Sequence, residues 1–266
     1  MYRLSTIISV LVLSAGLAAT QVHAGLVSEK SELQMGKDAA KQIEAKYKVS
    51  TDTQLTTQIR TIGRKIAAKS SRPNIQWQFK VLESKDVNAF SVPGYVYVNK
   101  GLIDFANGDE AELAGVIGHE IGHTSAKHAA KAVEKQFTYA LAIQLLLKKG
   151  NARNLGNAAA NLALLGYSRK DEFQADKLGV DYMNAAGYDS NGMLRFFRKL
   201  QQREGSTSGG LTVYFKTHPP TADRIKRVGQ EMVRLGVRVQ AALPHKITGY
   251  AALLPKAYLP SRSWAS

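Results

Sequence analysis

Residues 115–128 read GVIGHEIGHTSAKH and contain His119-Glu120-Ile121-Gly122-His123. On an α-helix, at about 100° per residue, the two histidines stand one turn apart on one face. Imidazoles placed this way can take adjacent corners of a tetrahedron around one zinc ion. Glu120 lies beside them, where its carboxylate can reach a water next to the ion without binding the ion itself. The rival reading is a small-residue helix that happens to carry two histidines. Gly115, Gly118 and Gly122 bear on the choice. A glycine costs roughly 1 kcal/mol in a helix interior, so three around the histidines point to a demand for close packing.

A metal needs a third ligand. His128 falls about 180° around the helix from His119. A turn bringing it back would call for glycine at position 126, which is Ala126. The helix is therefore expected to run on, leaving His128 as a surface or packing residue. The stretch YSRKDEFQADKLG (167–179) offers more. Glu172 and Asp176 are four apart and share a helix face. Glu172 could be a ligand while Asp176 accepts a hydrogen bond from the far nitrogen of a ligand histidine, fixing its tautomer. By spacing alone the pair could equally be a plain acidic face beside Arg169 and Lys170. Tyr167 and Ser168 precede this helix, and Ser168 suits its N-cap. In KTHPPTADRIKRV (216–228), His218 precedes two prolines and Arg224 follows six residues on. So rigid a histidine could point at a metal, or simply belong to a capping loop.

The elements that must position these groups read as mostly helix with a small sheet. Residues 28–70 show apolar and small residues at helical spacing, from Leu33 to Ile66, ending at Ser71-Arg72-Pro73-Asn74. The period then becomes two in IQWQFKV (75–81), placing Ile75, Trp77, Phe79 and Val81 on one strand face. VNAFSVPGYVYVNKGLI (87–103) reads as two extended segments joined through Pro93-Gly94, a type II turn pair. Helix resumes at Asp109 and is predicted to reach Lys135. An alanine- and leucine-rich helical hairpin is expected over 137–166, then helices over 168–186, 190–203 and 221–236, with a Gly-Ser loop at 205–210.

The ends carry different information. Residues 1–24 hold Arg3 as their sole charge, an apolar run TIISVLVLSAGLAA and a small residue at Ala24, the layout of a secretory leader cleaved after Ala24. The rival reading is an uncleaved membrane anchor, but the run is shorter than the roughly 20 residues that span a bilayer. With no cysteine in these 266 residues, neither disulfides nor a lipid anchor on an N-terminal cysteine is expected. The expected domains are thus a leader (1–24), one catalytic domain (25–244) and a basic tail (245–266). The formal charge is +15, and +14 without Arg3. Residues 195–266 carry 13 Lys/Arg against 3 Asp/Glu. That surface could meet anionic membrane or lipopolysaccharide, or serve only solubility. No nucleic-acid-binding motif accompanies it, so no nucleic-acid partner is expected.

Four segments, VNAFSVPGYVYVNKGLI, ELAGVIGHEIGHTSAKH, SRKDEFQADKLG and THPPTADRI, together resemble one family of zinc metallopeptidases. It includes the CAAX prenyl protease, the heat-shock protease HtpX and periplasmic proteases such as BepA. The segments occur in the family's order over roughly residues 85–228. The resemblance implies a zincin-like, gluzincin fold of mainly α with a small β-sheet, and one zinc ion per chain. It implies His119, His123 and Glu172 as zinc ligands, Glu120 as general base and Asp176 behind a ligand histidine. It implies that His218 and Arg224 steady the oxyanion, and that in some relatives the equivalent histidine covers the metal at rest. Asn88, Ala89 and Phe90 match an edge strand that pairs with extended peptide. The expected function is endopeptidase action on extended or misfolded proteins in the bacterial periplasm, with unfolded outer-membrane proteins among the substrates. The alternative is a chaperone or assembly factor using the same groove. Spanning helices and a tetratricopeptide array, present in some relatives, are not expected of this chain.

Overall fold

Asp52 divides the expected N-terminal helix in two. Helix α1 (Glu29–Lys46) starts at Ser28, whose hydroxyl accepts from the Ser31 N–H, and stops at Tyr47. Val49 then bridges to Leu82 of the sheet. The Asp52 carboxylate accepts from the N–H groups of Gln54 and Leu55 and so caps α2 (Thr53–Ala67). A capping aspartate satisfies N–H groups that a continuous helix would pair internally, which favours a fresh start over continuation. The computed structural model describes residues 27–135, 167–203, 210–218 and 222–240. The expected leader (1–24), the apolar hairpin (137–166), nearly all of the Gly-Ser loop (205–210) and the tail (245–266) lie outside the described residues.

The sheet has three strands, β1 (Gln78–Leu82), β2 (Ala89–Val92) and β3 (Tyr95–Asn99), in the order β1-β3-β2. β1 runs parallel to β3, and β2 runs antiparallel to it. Pro93-Gly94 makes the hairpin turn, with Gly94 at φ 85°, as the second central residue of a type II turn requires. Strand alternation divides the side chains. Phe79, Val81, Ala89, Val96 and Val98 enter the main core with α2 and the helices that follow. Leu82, Val92 and Tyr97 pack with Ala39 and Ala40 of α1 on the opposite face. The sheet is thus a middle layer, with β2 at its edge. KGLI, expected to be extended, begins a short helix, α3 (Lys100–Phe105).

Helix α4 (Glu110–Ser125) starts where Asp109 accepts from the N–H groups of Ala111 and Glu112, and every residue from Glu112 to Thr124 is buried. It does not continue to Lys135. Ala126 ends it, Lys127 takes a left-handed φ of 58°, and residues 128–135 form a separate helical stretch. Arg72 helps to fix this stop, donating to the Thr124 carbonyl at 3.0 Å while pairing with buried Glu32 at 2.9 Å.

Four more helices follow among the described residues: α5 (Arg169–Ala185), α6 (Asn191–Gln202), α7 (Leu211–Thr217) and α8 (Ala222–Arg234). Ser168 and Asp171 form a reciprocal capping box on α5. α7 occupies a stretch for which no helix was expected. The most extensive packing is of α4 on α5. A Cβ at Gly122 would lie 2.7 Å from the Ala175 carbonyl oxygen, and one at Gly179 would lie 2.9 Å from the His119 nitrogen. The glycines therefore let the two backbones touch. The result is the mainly helical α+β arrangement with a small sheet. Among the described residues no helix is long and apolar enough to cross a membrane.

Candidate metal centre

The contact between α4 and α5 brings His119 and His123 against Glu172. His218, at the end of α7, closes the group from the far side. One donor atom from each of these four buried residues lies within 4.8 Å of the others. His119 Nε2 is 2.9 Å from His123 Nε2 and 3.3 Å from His218 Nδ1. Glu172 Oε1 is 3.2 Å from His123 Nε2 and 3.1 Å from His218 Nδ1, and Oε2 is 3.6 Å from His119 Nε2. A tetrahedron with metal–ligand bonds of 2.0–2.1 Å has edges of about 3.3–3.4 Å. The donor spacings bracket that edge. Three imidazoles and a carboxylate are also the donor types that suit zinc and similar divalent ions. The residues present fit a metal ion.

Asp176 stands behind His119. Its Oδ1 is 2.8 Å from His119 Nδ1, so that nitrogen donates and Nε2 is left bare toward the cluster. Arg224, expected at the oxyanion, instead forks onto this carboxylate. Its Nε donates to Asp176 Oδ2 at 2.7 Å, its Nη2 to Asp176 Oδ1 at 2.7 Å, and its Nη1 pairs with Glu172 Oε2 at 2.8 Å. The charge of Arg224 must balance two buried acids, and this sets its direction. Glu120 turns to the other side of the pair of histidines. Its Oε2 accepts from Ser91 Oγ of β2 at 2.9 Å, and its Oε1 lies 3.6 Å from His218 Nε2.

The electrostatics follow from these contacts. Burial alone would raise the Glu172 carboxyl, but the adjacent His218 and Arg224 hold it well below its usual range. Asp176 is likewise pushed up by burial and drawn below normal by Arg224. Burial, then the neighbouring His119, holds His123 well below an ordinary imidazole and keeps it neutral, as a ligand must be. For His218 burial works downward, yet the Glu172 charge wins and raises it.

Three neighbours were not anticipated. His128, expected at the surface or in packing, is 2 % exposed, and its Nδ1 lies 2.8 Å from His123 Nδ1. The left-handed Lys127 swings it back, a turn made with alanine rather than glycine at position 126. Tyr167 does more than precede a cap, since its ring stacks on His123 with centroids 4.0 Å apart. Ser91 was one residue beyond the edge segment singled out. No sequence signal marks Ser91, and only its place in β2 facing α4 reveals it. Of that segment, Asn88 and Ala89 are buried and Phe90 is half-buried. The Asn99 N–H donates to the Asn88 carbonyl, so residues 88, 90 and 92 face β3 while the backbone groups of Ala89 and Ser91 point outward.

The sequence profile of Peptidase family M48 matches residues 53–232. Mitochondrial metalloendopeptidase OMA1 of Arabidopsis thaliana is 37% identical over 169 residues, which are 63% of this chain and 34% of the relative. The putative beta-barrel assembly-enhancing protease of Vibrio cholerae is 32% identical over 191 residues, 66% of this chain and 39% of the relative. Metalloprotease LoiP of Escherichia coli K12 is 26% identical over 234 residues, 85% of this chain and 89% of the relative. The chain spans under two fifths of the length of the first two.

Proposed function

The chain belongs to peptidase family M48, and from that premise we propose that it is a zinc-dependent endopeptidase acting on extended polypeptide. The observation that carries this reading is the convergence of His119, His123 and Glu172, from two helices distant in sequence, within tetrahedral spacing. We assign these three as the zinc ligands. Bound there, zinc supplies a Lewis acid that polarises the scissile carbonyl and acidifies water.

The remaining steps belong to the chain's own residues. An extended substrate pairs with the outward backbone groups of Ala89 and Ser91, in the Asn88–Ser91 edge segment that includes Phe90. The Glu120 carboxylate takes a proton from water as the water oxygen bonds to the carbonyl carbon. Glu120 returns that proton to the amide nitrogen, and the C–N bond breaks. Ser91 orients Glu120 for both transfers. His218 lies among the residues that would hold the ion, with Nε2 3.6 Å from Glu120, so its ring would have to move for water to stand beside Glu120. We assign to the displaced ring the role of a donor to the oxyanion. Asp176 orients His119, and Arg224 orients Asp176 and Glu172.

The biological setting consistent with the leader, the resemblance and the name of the Vibrio relative is the bacterial periplasm, with envelope proteins, including unfolded outer-membrane proteins, as substrates. A second reading, a holding factor that binds chains without cutting them, draws on the same edge strand and on the closed position of His218. One pair of variants separates the two. Glu120→Gln is expected to retain one zinc per chain by metal analysis and to lose at least about 100-fold in casein hydrolysis. His119→Ala is expected to lose both. Full hydrolysis by Glu120→Gln removes the protease reading as written, and unimpaired substrate protection by an inactive Glu120→Gln supports the second.

A further inference from the structure

The far nitrogen of His123 meets no carboxylate. It meets a second imidazole. His123 Nδ1 is 2.8 Å from His128 Nδ1, and His128 Nε2 is 3.1 Å from Gln174 Oε1. Building on the assignment of His123 as a ligand, we propose that Gln174 and His128 form a relay that fixes the tautomer of His123 and leaves its Nε2 bare for the metal.

The argument follows one proton at a time. The Gln174 amide oxygen can only accept, so the His128 nitrogen facing it carries hydrogen. A neutral imidazole with hydrogen on Nε2 is bare at Nδ1. A 2.8 Å contact between two ring nitrogens away from the ion's place requires one proton between them, whereas the 2.9 Å approach of the His119 and His123 Nε2 atoms is one the ion would bridge. That proton must come from His123, whose Nδ1 therefore donates. The His123 Nε2 is then a lone pair, and this is the atom facing Glu172 and His119. The opposite polarity defeats the site. If His128 offered a proton from Nδ1, His123 would hold its own on Nε2 and could not ligate. Asp171 Oδ1, 3.6 Å from His128 Nε2, is too far to accept that hydrogen but adds a negative charge that favours it there. The Tyr167 ring, stacked on His123 and tilted at 51° to His128, keeps both planes from rotating out of line. The two ligand histidines are thus held differently: His119 directly by a carboxylate, His123 through a second imidazole hydrogen-bonded to an exposed amide.

His128 and Gln174 are positioning residues, and the test reads zinc affinity of the full chain by competition with a chromophoric chelator, independently of proteolysis. His128→Leu is expected to weaken zinc binding by about 10–100-fold, the usual cost of losing a group behind a ligand. His128→Asn, whose amide oxygen can accept from His123, is expected to recover most of that loss. Gln174→Met should lower affinity less than His128→Leu. Gln174→Lys can only donate and should lower it more than Gln174→Met. Gln174 is exposed, so its variants should fold whether or not His128→Leu does. In a His128→Leu background the Gln174→Lys effect should vanish, since it travels through the imidazole. Persistence of that effect would mean simple charge repulsion and overturn the relay, as would unchanged affinity in His128→Leu. A wild-type chain that binds no zinc would instead remove the ligand assignment on which the relay rests.

Discussion

Arg224 is the largest side chain fully buried among the described residues, and its position shows how residue chemistry decides a role. A guanidinium in the interior must be matched by anions, and here Asp176 and Glu172 supply them. Removing one partner of such a group leaves the other charges buried and unpaired. Arg224→Leu in metal-free protein is therefore expected to cost on the order of 3–5 kcal/mol in urea denaturation. Arg224→Lys should recover only part of this, because an ammonium cannot reproduce the planar fork on Asp176. If the leucine variant were as stable as the parent, the acids would have to be held by something else.

At the scale of elements, the site depends on how closely α4 and α5 approach. Gly122→Ala would push a methyl into the Ala175 carbonyl. The expected cost is about 1–3 kcal/mol, with a measurable drop in zinc affinity as Glu172 moves away from the histidines. Unchanged affinity would show that the helices can separate without opening the cluster. Much of this geometry could be read from spacing. His119 and His123 one turn apart, Glu172 and Asp176 one turn apart, and glycines between the helices each state a face and a contact. Phe79 and Val81 alternate into the core within β1, and Ile75 and Trp77, expected in the same strand, are buried too but precede it. What could not be read depended on tertiary partners. The break at Lys127 puts a β-carbon in a left-handed conformation, held in place where Arg72 and Glu32 meet the end of α4. No local rule foresees it, and a continuous helix would carry His128 away from His123. Ser91 and Gln174 are ordinary polar residues until the fold sets them beside Glu120 and His128.

At the scale of the molecule, α8 must stay docked on α5 for Arg224 to reach the acids. An ionic cluster outside the site fastens the two helices. Lys177 pairs with Glu231 at 2.8 Å, and Arg234 with Asp181 at 2.9 Å. Burial pulls Glu231 upward, but hydrogen bonds from Arg234 and Lys177 outweigh it and hold the carboxyl at about 2. A carboxyl lowered on folding contributes stability that is complete above its unfolded value, near 4.3. That contribution fades as pH falls toward the folded value. Glu231→Gln should therefore be less stable than the parent at pH 6, and the difference should shrink from about pH 4.5 to pH 2 in denaturation curves. A difference independent of pH would assign the effect to packing.

Strand β2 shows its outer backbone groups only at alternate residues, Ala89 and Ser91, and the second of these touches Glu120, the proposed base, by its side chain. Recognition through main-chain amides is blind to side-chain identity but not to shape. A guest in a helix has spent those amides on itself, and one in a native sheet has spent them on a sibling strand. Such a cutter would sort its clientele by conformational freedom rather than by sequence, and a ligand that stiffens a client would shield it from cleavage.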